Sequence, residues 1–266
     1  MLILLPPSEG KTPPVAGDPV DPASLWLPTL AGARRRVMSR LVALCRRTSA
    51  RSVAETSQIL GIGDGLRHEL GRNAELPMAP AGPAAEVYTG VLYDALDPAG
   101  LTPEARDWVD RSAVVFSGLW GVVRLDDRIP AYRCSVGVTL PGSIGGLTAY
   151  WKKALTPALK PRETRGPILD LRSGAYAAMW SPPADGSATV RVLHERTVDG
   201  TPKRSIVSHF NKATKGRLVR DLAESGSTPE TIDEVVGVLR DLKYRVEEQP
   251  AKAGHPRQLD VIVAEL

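Results

Sequence analysis

The chain has 266 residues, of which 42% are hydrophobic and 24% charged, enough apolar mass to bury a sizeable core in one large domain or two small ones. Only 5% is aromatic, while 24 glycines and 23 prolines imply many turns between short elements, which argues against a helical bundle and for an irregular mixed α/β architecture. The net charge of +4 tolerates a polyanionic partner, so the clustering of the cations becomes the informative quantity.

Residues 2 to 5 form an apolar run stopped by Pro6-Pro7, which predicts a short buried strand delivering the loop Pro6–Thr12 to a surface or cleft. The run has no basic leader, and no apolar stretch approaches the roughly 20 residues of a membrane span, so a cytoplasmic protein without membrane contact is expected. From Leu30 to Thr48, Val37, Leu41, Leu44 and Cys45 recur at helical spacing. Arg34, Arg35, Arg36, Arg40, Arg46, Arg47 and Arg51 lie among and after them with no acid before Glu55, a pattern that suits a solvated face or a phosphate backbone.

Gly61-Ile62-Gly63 then separates two helical patterns, within a helix-hairpin-helix-like segment at about 50–75. Gly61 and Gly63 would allow backbone N–H groups to face a phosphate, although a plain interhelical turn has the same look. Residues 76–86 read as a loop. Further strands are expected at 113–116, 167–171 and 188–194, with 205–208 pairing back across an Asp199-Gly200 turn. Thr228-Pro229 opens a predicted helix running to about Lys243, and 259–263 is a last strand.

Gly10-Lys11-Thr12 invites a nucleotide-loop reading, but Leu5 stands where that motif needs glycine, leaving a serine and a lysine at a strand end. Polar clusters follow the other predicted strands as well, around Tyr88, Ser117, Tyr132-Arg133, Tyr150-Trp151-Lys152, Ser173–Tyr176 and His209–Gly216. Their order resembles that of the YaaA family. That family has a Ser-Pro-Ala-Lys-like first loop, then Ser-Gly-Leu-Tyr-Gly, Pro-Tyr-Arg and Ser-x-x-Tyr motifs, and a late Ala-Lys-x-x-Arg-Gly motif. Ser8 and Lys11 match the first loop, Tyr88 and Gly90 follow, and Ser117, Gly118 and Gly121 match the next motif. Tyr132 and Arg133 match despite the inserted Ala131; Trp151, Ser173, Tyr176, Lys212 and Gly216 continue the series. Departures are Pro7, Glu9-Gly10, Ala175 where an acid is common, and Lys215 in place of arginine.

The resemblance implies one YaaA-like domain over 1–266, mixed α/β with a central mixed sheet, a basic cleft and the helix-hairpin-helix-like element, acting in peroxide stress and binding DNA. Sequence-independent phosphate contacts would come from Arg34, Arg35, Arg36, Gly61, Gly63 and Lys152, and from a second basic group including Lys203, Arg204, Lys212, Lys215, Arg217 and Arg220. A pure DNA clamp has little use for so many hydroxyls. Ser8, Lys11, Ser117, Tyr132, Arg133, Ser173, Tyr176 and Lys212 are therefore also catalytic candidates in a rival reading, a lyase or hydrolase acting on a nucleobase, nucleoside or nucleotide. In that reading Lys11 or Lys212 serves as base or nucleophile. In either reading the family pattern implies that Ser8, Lys11, Tyr132, Arg133, Ser173, Lys212 and Lys215 converge on one cleft, each following a strand or loop on the same side.

Cys45 and Cys134 form no C-x-x-C pair, and the four histidines, 68, 194, 209 and 255, lack ligand spacing, so no metal or other cofactor is expected. Tyr132 and Trp151 also suit core positions, Asp126-Asp127 a surface turn, and Gly90, Gly118, Gly121 and Gly216 turn positions. The sequence leaves the oligomeric state open.

Overall fold

The opening apolar run forms strand β1 (Leu2–Leu5), all four residues buried, and it lies inside the main sheet of the computed structural model, which describes residues 1–160, 166–198, 201–250 and 252–264. In chain order, β1 is followed by helices α1 (Ala31–Cys45), α2 (Ala50–Leu60) and α3 (His68–Ala74). The short pieces β2 (Gly82–Pro83) and α4 (Ala84–Val87) come next, within the stretch expected to be loop, followed by α5 (Val91–Leu96), α6 (Pro103–Ser112), β3 (Ala113–Ser117) and β4 (Gly121–Arg124). Two further small ladder strands, β5 (Arg128–Ile129) and β6 (Thr139–Leu140), precede β7 (Gly145–Gly146), α7 (Leu147–Leu159), β8 (Ile168–Asp170) and α8 (Gly174–Ala177). The chain ends with β9 (Ser187–Val198), β10 (Thr201–Ser205), α9 (Ser208–Glu224), α10 (Ile232–Asp241), β11 (Arg245–Glu248) and β12 (Arg257–Ala264).

The sheet runs β11-β12-β9-β8-β1-β3-β4, with β10 added to β9. β1 pairs in parallel with both β3 and β8, in the registers Leu5↔Val115 and Leu4↔Asp170. β8 and β12 are also parallel to β9, whereas β4, β10 and β11 each join an antiparallel hairpin. The sheet is therefore mixed. β1, β3 and β8 are buried throughout, which is why they read as unbroken apolar runs instead of alternating ones. After β1 the chain crosses to β3 on one flank, and later returns to β8 on the other. Loops leaving the carboxyl ends of β1 and β8 diverge at this switch point, the place where open α/β sheets leave a crevice.

Two expected boundaries move. The strand pairing with β9 is Thr201–Ser205, matching Ser205 to His194, and the chain enters α9 at Ser208; the Asp199-Gly200 turn lies outside the described residues. Thr231, not Thr228, caps α10: its hydroxyl accepts from Glu234 N at 3.2 Å while the Glu234 carboxylate accepts from Glu230 N at 2.9 Å. This reciprocal arrangement satisfies backbone donors that a start at Thr228 would leave open.

Gly216 lies within α9 and not at a turn. A Cβ there would come within 2.1 Å of the Leu92 carbonyl oxygen, so the residue lets α9 pack directly on the backbone of α5. Gly121 is a turn position as expected, with φ +74° and the Trp151 ring 2.6 Å from where a Cβ would sit.

Candidate active site at the sheet switch point

The loop after β1 brings Ser8 and Lys11 to the carboxyl end of the sheet. It is pinned there by Thr12 N donating to Val87 O at 2.9 Å, Thr89 N donating to the Ser8 hydroxyl at 3.1 Å, and Tyr93 OH donating to Pro6 O at 2.7 Å. Lys11 Nζ donates to Ser8 O at 2.7 Å and to Glu9 O at 3.4 Å, and lies 4.3 Å from the centre of the Tyr132 ring and 5.4 Å from that of Tyr88. It has no carboxylate within ion-pair distance among the described residues. Burial, and secondarily the Arg133 guanidinium, pull its pKa down to about 7, against weaker opposing fields from Glu69, Cys134 and Glu9. Removing an ammonium from water without an anion beside it favours the neutral amine.

Behind the lysine runs a buried hydroxyl chain. The Tyr88 and Tyr132 hydroxyls are 2.9 Å apart, Tyr132 and Ser117 hydroxyls 2.6 Å, and Ser117 Oγ also accepts from Leu119 N and Trp120 N at 3.1 and 2.9 Å. Burial raises the pKa of both tyrosines, keeping them protonated across the physiological range. Arg133 holds Glu9 at 2.7 Å, and its backbone is clamped in both directions by buried Asn73, at 3.0 and 2.8 Å.

At the carboxyl end of β8, Ser173 is exposed at the start of α8, and Tyr176 is partly buried with its pKa raised by burial. Between them and the strand, Arg172 forms a buried bidentate pair with Asp170 at 2.6 and 2.9 Å and donates to the carbonyls of Tyr176 and Trp180, so it holds this loop in shape. Lys215 reaches the same strand end from α9, donating to Leu171 O at 2.9 Å, and its pKa is lowered by burial. Being buried and committed there, it leaves the set of expected phosphate contacts. Lys212 is exposed on α9, one turn before it.

The structure thus gathers Ser8, Lys11, Ser117, Tyr132 and Arg133 and sets Ser173, Tyr176 and Lys215 around the neighbouring strand end. The expected DNA contacts lie elsewhere, and one of them is overturned. Arg34 is fully buried and donates to six carbonyls, those of Trp120, Pro22, Leu25, Leu27, Trp26 and Val122, so no donor is left for a phosphate. Arg35 and Arg36 are exposed, the first 3.4 Å from Asp21, the second donating to Tyr150 OH at 3.1 Å; Lys152 is exposed on α7. In the second basic group Arg204 is held by Glu195 and Glu247, and Arg220 by Asp97 and Glu224, while Lys203, Lys212 and Arg217 remain exposed. Gly61 ends α2 in the left-handed region, φ +64°, and Gly63 is extended before a 3-10 turn at Asp64–Leu66 that leads into α3. Asp64 in that turn pairs with Arg67 at 2.7 Å, placing a carboxylate where a phosphate would approach.

Sequence reasoning missed Glu69 and Asn73. Glu69 on α3 is buried; one carboxylate oxygen accepts from Arg72 at 2.6 Å and the other has no hydrogen-bond partner among the described residues. α3 also walls a cleft of about 860 Å³ lined by Pro13, Arg46, His68, Arg72, Met78 and Ala131 among others. Lys11 does not itself line the cleft; Pro13 two residues on, Ala131 beside Tyr132, and Arg72, the partner of Glu69, do. Cys45 and Cys134 are free and buried, with thiol pKa values pushed up to about 11 and about 12 by burial. Among the described residues no group of three or more histidine, cysteine or acidic side chains is placed to hold a metal, and no helix is long and apolar enough to cross a membrane.

Fold and site together define an α/β protein with a lysine–tyrosine–serine cluster at the switch point of a mixed sheet. The family model described as peroxide stress protein YaaA matches residues 1–250, and the chain belongs to that family. Among relatives, UPF0246 protein SCO2297 of Streptomyces coelicolor is 52% identical with both chains covered completely. UPF0246 protein CE1889 of Corynebacterium efficiens is 43% identical over 93% of this chain and 95% of its own, and Cgl1995/cg2186 of Corynebacterium glutamicum is 37% identical over 99% and 100%.

Proposed function

We propose that the protein, working as one domain in the cytoplasm, serves peroxide defence by binding duplex DNA without sequence preference along the face shared by α1 and α7. The observation that carries this reading is the charge of the two helices. Neither contains an acid, and Arg35, Arg36, Arg40, Lys152 and Lys153 are exposed on them. The Arg36–Tyr150 and Tyr150–Ala33 hydrogen bonds, 3.1 and 3.3 Å, join the two helices, so their cations form one surface. Such a surface acts through phosphate contacts and counterion release, which predicts affinity falling steeply with salt. Fluorescence anisotropy of a labelled duplex at low and high salt tests it. Replacing Arg36 and Arg40 together by alanine should weaken binding and reduce the slope of log affinity against log salt by about two. Unchanged affinity and slope in the double variant would remove this face from the interface.

A second reading has its own support in Lys11. A half-buried lysine that has no carboxylate partner among the described residues, beside a chain of protonated hydroxyls, suits an enzyme acting on a nucleotide or a part of one better than a surface that only attracts phosphate.

A further inference from the structure

We propose that Lys11 is an amine nucleophile that condenses with the aldehyde of a phosphorylated aldopentose held in the adjoining Arg46–His68–Arg72 cleft. The proposal rests on the second reading above and gives it a substrate class. Its basis is the placement of three features that the DNA-binding face does not use.

The first feature is the amine itself. Among the described residues Nζ is bonded to two carbonyl oxygens, it faces two aromatic rings, and the like charge of Arg133 acts on it. Burial, and after it the Arg133 charge, lower its pKa to about 7 against Glu69, Cys134 and Glu9; Tyr88 and Tyr132 face it as rings. Its neutral fraction at pH 7 is then on the order of a thousandfold above that of a solvated lysine. A neutral amine beside a cleft that can hold an aldehyde is a carbonyl-capturing group.

The second feature is the cleft. Its volume, about 860 Å³, lies within the range that encloses a small molecule. Arg46 donates through Nε to Ala74 O, and together with Arg72, which also pairs with Glu69, it brings two guanidinium groups suited to a phosphate to a wall that also includes Glu75. Pro13, Pro14 and Met78 supply apolar wall for a sugar or base face.

The third feature is the orphan oxygen of Glu69. This buried carboxylate belongs to the same α3 turn that supplies Arg72 and His68, and its field acts on Lys11. This oxygen has no hydrogen-bond partner among the described residues and lies one helical turn from Arg72 of the cleft, and such an acceptor fits the transfer of a proton.

The step balances without any oxidant or cofactor. The lysine nitrogen attacks the aldehyde carbon, forming a C–N bond as the carbonyl π pair moves to oxygen. The two amine hydrogens then leave with that oxygen as water, giving the imine.

Sodium borohydride, which reduces an imine to a stable secondary amine, provides the test. The full chain is incubated with 2-deoxyribose 5-phosphate, and separately with a duplex bearing one abasic deoxyribose, whose open-chain form is the same aldehyde; an intact duplex is the control. Peptide mass spectrometry should place the reduced adduct on Lys11, and Lys11→Arg, which keeps charge but supplies no neutral amine, should lower its yield at least about tenfold. Adduct in the abasic arm alone assigns the sugar within DNA, and adduct in the free-sugar arm alone assigns a metabolite; both support the proposal. No adduct in either arm, or adduct spread equally over exposed lysines such as Lys152 and Lys212, overturns it. Because mapping is done on the unaltered chain, the result does not depend on the variant folding. Anisotropy with the intact duplex, run in parallel, separates the readings: retained DNA affinity without adduct sinks only the lysine chemistry.

Discussion

Arg34 and Lys11 are two basic side chains, the first buried and the second half-buried, with no carboxylate within ion-pair distance among the described residues, and the protein treats them in opposite ways. Arg34 is surrounded by six carbonyl acceptors that tie residues 22–27 to the β3–β4 turn, so every donor of its planar fork is used. Burial lowers its pKa to about 10, with Asp127 opposing, which leaves it charged at any physiological pH. Lys11 has two carbonyls and two ring faces, and its pKa falls to about 7. A guanidinium delocalises its charge and keeps it; an ammonium with too few partners gives up its proton. The first arrangement holds a loop, and the second favours the neutral amine.

The largest test of this contrast is Arg34→Met. Removing the guanidinium strands the six carbonyls of a fully buried site, and destabilisation of about 3–5 kcal/mol is expected, the range for leaving a buried polar network without its charged partner. Denaturant unfolding measures it. A loss below about 1 kcal/mol would mean that water replaces the guanidinium and that Arg34 does not fasten residues 22–27 to the β3–β4 turn.

Arg34 also shows where the sequence was legible and where it was not. Strands β1, β3 and β8 were readable because strands buried on both faces are continuous apolar runs, and polar residues follow directly at their carboxyl ends. The arginine was grouped with a solvated face although a signal existed: it precedes Val37 by three residues and Leu41 by seven, on the buried stripe of α1. Glu69, Asn73 and the cleft were not legible in that way. They come from α3, some 60 residues from both Lys11 and Arg133, and no local period encodes a long-range meeting. Gly216 was misread for a related reason, since a glycine that lets two helices touch looks the same in sequence as one that makes a turn.

A smaller effect is expected from Tyr132→Phe, which keeps the ring under Lys11 and removes only the hydroxyl between Tyr88 and Ser117. Ser117 retains its two backbone donors, so the buried Tyr88 hydroxyl bears most of the loss, about 1–3 kcal/mol. Unfolding should show this cost while the Lys11 titration stays in place, because the lysine pKa is set first by burial and then by Arg133. A Lys11 pKa returning toward 10 in this variant would show that the hydroxyl chain, and not desolvation, controls the amine.

The smallest effect, and the one that separates the two cations most directly, is the pH dependence of Lys11→Met. The folded pKa of Lys11 is depressed from 10.5 to about 7, so between these values the unfolded chain binds more protons than the native one. Stability contributed by this group therefore rises with pH across that window, by no more than about 1.4 kcal/mol per pH unit. Below about 7 the ammonium is charged in both states and the full burial penalty is present. Replacing it by methionine removes the penalty, so the variant should stand at its best relative to the natural chain near pH 7. Its advantage should shrink by about 1 kcal/mol per unit as the pH is raised to 9. Arg34→Met should show no such trend, since that side chain stays protonated throughout the same range. Denaturant unfolding of the three proteins at pH 7, 8 and 9 makes the comparison. Parallel pH profiles for the natural chain and Lys11→Met would mean that Lys11 titrates alike folded and unfolded, and the neutral amine at the switch point would then be lost from both the enzyme reading and the condensation proposed for it.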